Sequence, residues 1–339
     1  MSPLPRMHRV AATAARYFDS DYSLLDAAAA AASRAPFAPS PLAAAARELA
    51  SAESARRWHR FYASHGGRFF HERSFLAHAF PPLAAAADGG NVLEVGCGSG
   101  ANVFNLLALL PDKRTHVFAC DVTPAALRAL RSHARFAEEA ARVDLCLWDA
   151  VTGAPPAAPP GLVVAEGAGG AGGAGGTGGG ADVGGAGAGS GGASASRAAE
   201  LNALHASFMR VPRAISGGEM DVALLTFVLS ALDPRDHASA VASVVRALRP
   251  GGLLCVRDHA AGDAAMLRAA EANRLGERLF VRGDGTLAYF FALDELRSLL
   301  ENAGLVNVDL KLALVETRNR KTGARIRRIF ATGSAVKST

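Results

Sequence analysis

Hydrophobic residues gather in five short runs along the middle of the chain: Val92 to Val95, His116 to Cys120, Val143 to Leu147, Asp221 to Thr226 and Leu253 to Val256. Short apolar runs bounded by turn formers predict strands, and stretches with helical spacing, such as Pro124 to His133 and Arg235 to Leu248, separate them. Strands that alternate with crossover helices predict a doubly wound α/β fold around a parallel sheet. "PGG" at 250–252 signals a turn before the fifth strand. Beyond it come "RGDGT" (282–286), a helix near Asp294 to Asn302, and two closing strand-like runs near Val306 to Val315 and Arg325 to Thr332.

The first of these strands runs into glycine. "NVLEVGCGSGANVFNLLALL" (91–110) sets Gly96, Gly98 and Gly100 between a strand and a helix. Such a bend points backbone N–H groups outward, and glycine lets a ligand touch the main chain. The spacing fits the dinucleotide fingerprint if Ala101 takes the last place, and it equally fits the G-x-G-x-G of enzymes that bind S-adenosylmethionine (SAM). Two closing strands fit a SAM-dependent methyltransferase sheet better than a dehydrogenase half. Glu94, Asp121 and Asp149 mark the ends of three consecutive strands. A ribose needs a carboxylate beyond the second strand, where Asp121 stands, and Asp149 is placed to accept from an adenine amino group. Loop residues and helix caps use the same letters, and Thr123 before Pro124 is itself a cap signal.

The chain has 339 residues, 50% hydrophobic and 20% charged, enough for one large α/β domain with additions. Cys97, Cys120, Cys146 and Cys255 form no C-x-x-C pair and read as small buried hydrophobes in a reducing compartment. No apolar run approaches the roughly 20 residues needed to cross a bilayer. Between Gly153 and Arg197 the composition collapses to glycine, alanine, serine and proline; Gly167 to Gly192 holds 16 of the 36 glycines, which predicts a flexible insertion without chemistry. Arg6, Arg9 and Arg16 precede the first acid, Asp19, a composition shared by transit peptides and frayed termini. The net charge of +5 is concentrated at the far end, where eight lysines and arginines from Lys311 onward face Glu316 alone. There "RNRKTGARIRR" (318–328) alternates like a strand and could lay cations along a phosphate backbone.

Four segments carry a resemblance. "RRWHRFYASHGGRFFHERSFLAHAFPPL" (56–83), "LLTFVLSALDP" (224–234), "RPGGLLCVRDHAAGDAAMLR" (249–268) and "RLGERLFVRGDGTLAYFFALDEL" (274–296) together resemble the methyltransferase-like family that makes 3-methylcytidine in tRNA. The resemblance spans roughly residues 45–150 and 215–332. It implies a class I SAM-dependent methyltransferase: a Rossmann-like, seven-stranded, mostly parallel sheet over 91–332, interrupted by the 153–197 insertion. A flexible segment over 1–40, a helical extension over 41–90 and a tail over 333–339 would complete the chain.

For the cofactor, the resemblance implies that Trp58 and Tyr62, four apart on one helix face, cover bound SAM, although core packing would explain the same spacing. Glu94, Gly96, Gly98, Gly100, Asp121, Asp149 and Ala150 would complete that site, with Thr226 where the family carries a bulkier aliphatic residue. For the reaction, N3 of neutral cytosine has an in-plane lone pair and needs no strong base. Positive charge grows on the base, so a carboxylate should help, and Asp258 beside Arg257 is the candidate. The family usually follows this Arg-Asp pair with an aromatic residue and a glycine; His259 and Ala260 stand there, and His259 would take over stacking on the base. Arg68, Arg73 and Arg282 are candidate substrate contacts, and Arg56, Arg57 and Arg60 could grip an RNA stem. His65 and His71 receive no catalytic role.

The implied substrate is cytidine 32 of a tRNA anticodon loop, an unpaired base that enters a pocket at low cost. A tRNA-presenting partner such as seryl-tRNA synthetase, a cytoplasmic location, no metal and no membrane contact complete the expectation. Two other readings stay open: a methyltransferase for a small molecule or protein, and an RNA-binding scaffold that has lost the reaction. A dehydrogenase remains a weaker alternative.

Overall fold

In the computed structural model the described residues are 15–18, 36–65, 75–154, 203, 205–318 and 325–339, with only the backbone described for 15–18, 317–318 and 325–327. The insertion, most of the first 35 residues, and Arg68, His71 and Arg73 lie outside them. Strands in chain order are β1 (Ala15–Phe18), β2 (Asn91–Val95), β3 (His116–Asp121), β4 (Val143–Leu147), β5 (Met220–Thr226), β6 (Leu248–His259), β7 (Leu279–Val281), β8 (Leu287–Tyr289), β9 (Leu305–Arg318) and β10 (Arg325–Lys337). The longer helices are α1 (Pro41–Ala52), α2 (Ser54–His65), α3 (Val103–Leu109), α4 (Pro124–Arg131), α5 (His237–Ala247) and α6 (Leu293–Asn302).

The main sheet runs β1-β9-β10-β6-β5-β2-β3-β4. β2 to β6 pair in parallel, while β10 runs antiparallel to both β6 and β9. This is the expected seven-stranded, mostly parallel sheet, with β1 added as an eighth strand along β9. Two boundaries differ from the sequence reading. β10 runs on to Lys337 because its partners on β6 and β9 extend that far, so the sheet takes in most of the tail expected from 333. The segment around "RGDGT" forms a separate hairpin of β7 and β8, whose turn closes through a hydrogen bond from Arg282 N to Thr286 O of 2.8 Å.

Side chains alternate between two apolar layers, as a sheet covered on both faces requires. Leu93, Val95, Ala223 and Leu225 join the layer that includes α5 and α6; Val92, Val222 and Leu224 join the layer that includes α3. The order in which strands are added to the sheet reverses at β2, which has β3 on one side and β5 on the other. At such a switch point the crossovers part to opposite faces, leaving a crevice beyond the strand ends. α1 is tied to this end by Arg47, whose guanidinium donates to the buried Asp233 carboxylate at 2.6 and 2.7 Å. No helix among the described residues is long and apolar enough to cross a membrane.

Candidate active site

A cavity of about 440 Å³ opens at the switch point. Its floor is the end of β2 and the glycine turn, its lid is α2, and its far wall comes from the ends of β5 and β6, the β7–β8 hairpin and β10.

Gly96, Gly98 and Gly100 have φ of +65°, +56° and +89°, left-handed values that only glycine adopts without strain. A Cβ at Gly98 would fall on the Tyr62 hydroxyl, and one at Gly100 on Leu130. Gly96 and Gly98 line the cavity; Gly100 instead lets α4 pack closely. In the lid, Trp58 stacks on Tyr62 with ring centroids 6.0 Å apart, and Phe61 meets both rings edge-on. Together with Ala125 and Ala126 of α4 these rings form a small core of their own, so the packing and ligand-covering roles coincide.

Glu94 and Thr226 face the cavity, and each holds a buried oxygen without a partner, Glu94 Oε2 and Thr226 Oγ1. Burial pushes the Glu94 carboxyl up to about 8, opposed by a hydrogen bond from Asn102 and assisted by Asp121. Asp121 does not line the wall. Its carboxylate accepts from Gly98 N at 3.0 Å and from Thr123 N and Oγ1 at 2.9 and 3.1 Å, so it fastens the turn. A carboxylate has about four acceptor positions, and the turn takes up at least three of them, with the Val122 backbone N–H also acting on the group. Asp149 also lies outside the cavity lining, with Oδ1 accepting from Val151 N at 2.9 Å, and Ala150 packs into the core.

The reaction-side residues depart furthest from expectation. Asp258 is fully buried and accepts from Ser230 N at 3.0 Å and His259 N at 2.8 Å. Arg257 is also buried, its guanidinium 4.5 Å from the Phe330 ring centroid and 4.9 Å from that of Phe75. Neither lines the cavity. Successive strand residues point to opposite faces, which parts this Arg-Asp pair: Asp258 turns away from the cavity, while Arg257 shares the His259 face but is covered by the lining rings of Phe75 and Phe330. The carboxylates on the wall are Glu94 and Asp284.

His259 and Arg282 do face the cavity, together with Arg328. His259 Nε2 lies 3.4 Å from an Arg282 guanidinium nitrogen and Nδ1 lies 3.3 Å from one of Arg328. Burial, then Arg282, Arg328 and Arg257, hold the imidazole well below its ordinary pKa, so it is neutral. A neutral ring carries one N–H; one guanidinium therefore meets an acceptor and the other meets a donor. Asp263 fixes Arg328 through contacts of 3.0 and 2.9 Å. Around His259 stand the rings of Phe227, Phe290 and Phe330, at 5.2, 5.6 and 5.8 Å. Phe227 has φ of +59°, a strained value for a large side chain and the kind of outlier that gathers at functional sites. The sequence reading passed over Phe227, Phe290, Phe330 and Asp284. Arg328 had one signal, the basic alternation of 318–328.

Residues 69–310 match the family described as "Methyltransferase domain". The chain belongs to this methyltransferase family. Among curated relatives, the Drosophila melanogaster "tRNA N(3)-methylcytidine methyltransferase Mettl2" is 28% identical over 86% of this chain and 74% of its own length. The Homo sapiens "tRNA N(3)-cytidine methyltransferase METTL6" is 25% identical over 84% and 81%. A Saccharomyces cerevisiae "tRNA(Thr) (cytosine(32)-N(3))-methyltransferase" is 25% identical over 81% of this chain and 36% of that longer protein. For this methyltransferase the residues present fit SAM. The cavity offers a glycine turn that a ligand can touch, an aromatic lid, and a buried carboxyl oxygen lacking a partner, suited to the cationic amino group of the methionine moiety.

Proposed function

We propose that this protein transfers the methyl group of SAM to N3 of cytidine in tRNA, at position 32 of the anticodon loop. The observation that carries this reading is that one cavity joins the glycine turn and aromatic lid to a wall of arginines and rings around His259. The names of the curated relatives supply the base, the atom and, for the yeast protein, the position.

Bound SAM supplies an electrophilic methyl group; the chain's own residues do the rest. Trp58 and Tyr62 exclude water from above, while Glu94 and the Gly96–Gly98 backbone orient the donor. Phe227, Phe290, Phe330 and His259 offer flat surfaces for an unpaired base, whose stacking is worth about 1–3 kcal/mol. Arg282 and Arg328 can donate to the base carbonyl or a neighbouring phosphate. The N3 lone pair needs no general base. Charge gained by the ring is opposed by the cavity carboxylates, with Asp284 on the arginine-rich wall taking the role first assigned to Asp258.

Methyl transfer from labelled SAM to total tRNA, followed by nucleoside analysis, tests this reading. Labelled 3-methylcytidine at position 32 is the expected product. A partner such as seryl-tRNA synthetase is part of the proposal only as a presenter of the tRNA, so the assay is run with and without it. Labelling of another nucleoside, or of none in both arms, would sink the assignment.

A further inference from the structure

Arg57 joins the lid of the cavity to its far wall. Trp58, Phe61 and Tyr62 of α2 cover the glycine-turn side, while Arg282, Asp284 and Thr286 of the β7–β8 hairpin line the arginine-rich side. The Arg57 side chain crosses from α2 to the tip of that hairpin and donates from Nη1 to Gly285 O. Its Nε and Nη2 donate to Glu53 Oε2 at 3.2 and 3.1 Å, one helical turn back. One planar group thus engages a carboxylate along one edge and a backbone carbonyl with its remaining nitrogen, a use that suits the rigid fork of arginine.

The hairpin tip is shaped to receive it. Gly285 has φ of +83°, and a Cβ there would lie 3.1, 3.2 and 3.3 Å from Arg57 Nη1, Cδ and Cζ, so the absent side chain is what lets the arginine lie against the turn. The turn is itself tightly closed. Gly285 N donates to Arg282 O and Arg282 N to Thr286 O, both at 2.8 Å, and Asp284 Oδ1 accepts from Thr286 N and Oγ1 at 2.9 and 2.7 Å. Any shift of Gly285 therefore carries the cavity-lining residues on either side of it. The Arg57 side chain is only 11% exposed, against 53% for Arg56 beside it. The fold thus takes Arg57 out of the group of arginines expected on an RNA stem and leaves Arg56 at the surface.

We propose that Arg57 is a positioning residue that couples the two halves of the cavity: a lid ordered over SAM holds the hairpin in the place that receives the RNA base, so each ligand raises the affinity for the other. The RNA half of this rests on the tRNA reading above; the link from lid to hairpin does not. Arg57 does not line the cavity, so it acts through Trp58 and Tyr62 on one side and Arg282, Asp284 and Thr286 on the other. A coupling of this kind is reciprocal, the same factor appearing in both affinities.

Two arms test the proposal on the full chain. In the first, backbone hydrogen exchange of the hairpin is followed with and without saturating SAM, in the wild type and in Arg57→Gln. SAM slows exchange across 282–286 in the wild type and leaves it unchanged in the variant, although the variant still binds SAM. No slowing in the wild type, or equal slowing in both, would overturn the link whatever the protein methylates. In the second, the affinity for S-adenosylhomocysteine, which permits no turnover, is measured by calorimetry with and without saturating tRNA. The wild type binds it about fivefold tighter or more when tRNA is present, and Arg57→Gln binds it equally in both conditions. The same ratio in variant and wild type would overturn the role of Arg57. Glu53 is itself partly exposed and tolerates loss of its partner to water, so Arg57→Gln should fold; if it does not, Glu53→Gln, which only loosens the aim of the guanidinium, should lower both effects in part, and full wild-type values there would count against the coupling. Failure of the wild type to bind tRNA, by contrast, touches only the tRNA reading, because the exchange arm needs no RNA.

Discussion

The carboxylate of Asp121 accepts from the Gly98 backbone N–H at 3.0 Å, so the end of β3 fastens the turn that follows β2. The same carboxylate holds Thr123 by its backbone N–H and hydroxyl, and Thr123 in turn caps α4 by accepting from Ala126 N. Asp121→Ala therefore strips a buried acceptor from three donors at once. Each unsatisfied donor costs about 1–3 kcal/mol. The expected result is a clear fall in melting temperature together with weaker SAM binding, measured by thermal denaturation and calorimetry. A variant that loses SAM affinity at wild-type stability would show that Asp121 serves the ligand and not the turn.

Gly98 is held in place from two sides. Its φ of +56° costs an L-residue roughly 1–2 kcal/mol, and a Cβ there meets the Tyr62 hydroxyl. Gly98→Ala should destabilise the protein and displace the lid. Adding Tyr62→Phe should recover part of the loss, because the hydroxyl goes while the ring carbon that bore it remains 3.1 Å from the new Cβ. Denaturation of the two single variants and the double variant measures this coupling; strict additivity would mean that the lid does not press on the turn.

The parallel core and the glycine turn were legible in the sequence because both are local signals. Val92 to Val95 is a short apolar run, and Gly96, Gly98 and Gly100 mark positions that demand positive φ. Residue identity at the strand ends was legible too, but direction was not. Asp258 and His259 are neighbours in sequence, yet alternation along β6 buries one behind the wall and turns the other into the cavity. The partners of Asp121 within the turn were hidden for a related reason: which atoms claim a carboxylate depends on how two loops meet. Phe227, Phe290 and Phe330 look like ordinary core letters, and only the meeting of β5, β8 and β10 ends makes them one wall.

Asp258 supports His259 from beneath, its carboxylate accepting from the His259 and Ser230 backbone N–H groups. Asp258→Ala should lose 3-methylcytidine formation and stability together, about 1–3 kcal/mol for each buried donor left bare. Burial raises this carboxyl to about 6 from 3.8. The folded protein thus holds a proton that the unfolded chain releases, and the resulting stability is full below pH 3.8 and lost as the pH rises through about 6. In Asp258→Asn that contribution to the pH dependence should vanish. A kcat loss in Asp258→Ala at unchanged melting temperature would instead return the residue to a direct part in the reaction.

Glu94 gives the sharpest pH signature because it is both buried and half unpartnered. Its carboxyl is raised to about 8 from 4.5, chiefly by burial. Between these values the native state keeps a proton that the unfolded state has lost, so stability declines by about 1.4 kcal/mol per pH unit from this group alone. The contribution is complete below pH 4.5 and gone once the pH has risen through 8. Glu94→Gln should flatten that part of the stability profile and be relatively more stable at pH 9. The same group couples to the ligand: a cationic amino group beside Oε2 favours the ionised carboxylate, so SAM binding at pH 7 should release a proton. Calorimetry in two buffers of different ionisation enthalpy reads the release directly, and Glu94→Gln should abolish it. Equal heats in both buffers for the wild type would mean that the methionine end of SAM lies away from Glu94, and the fit of the cofactor to this turn would have to be redrawn.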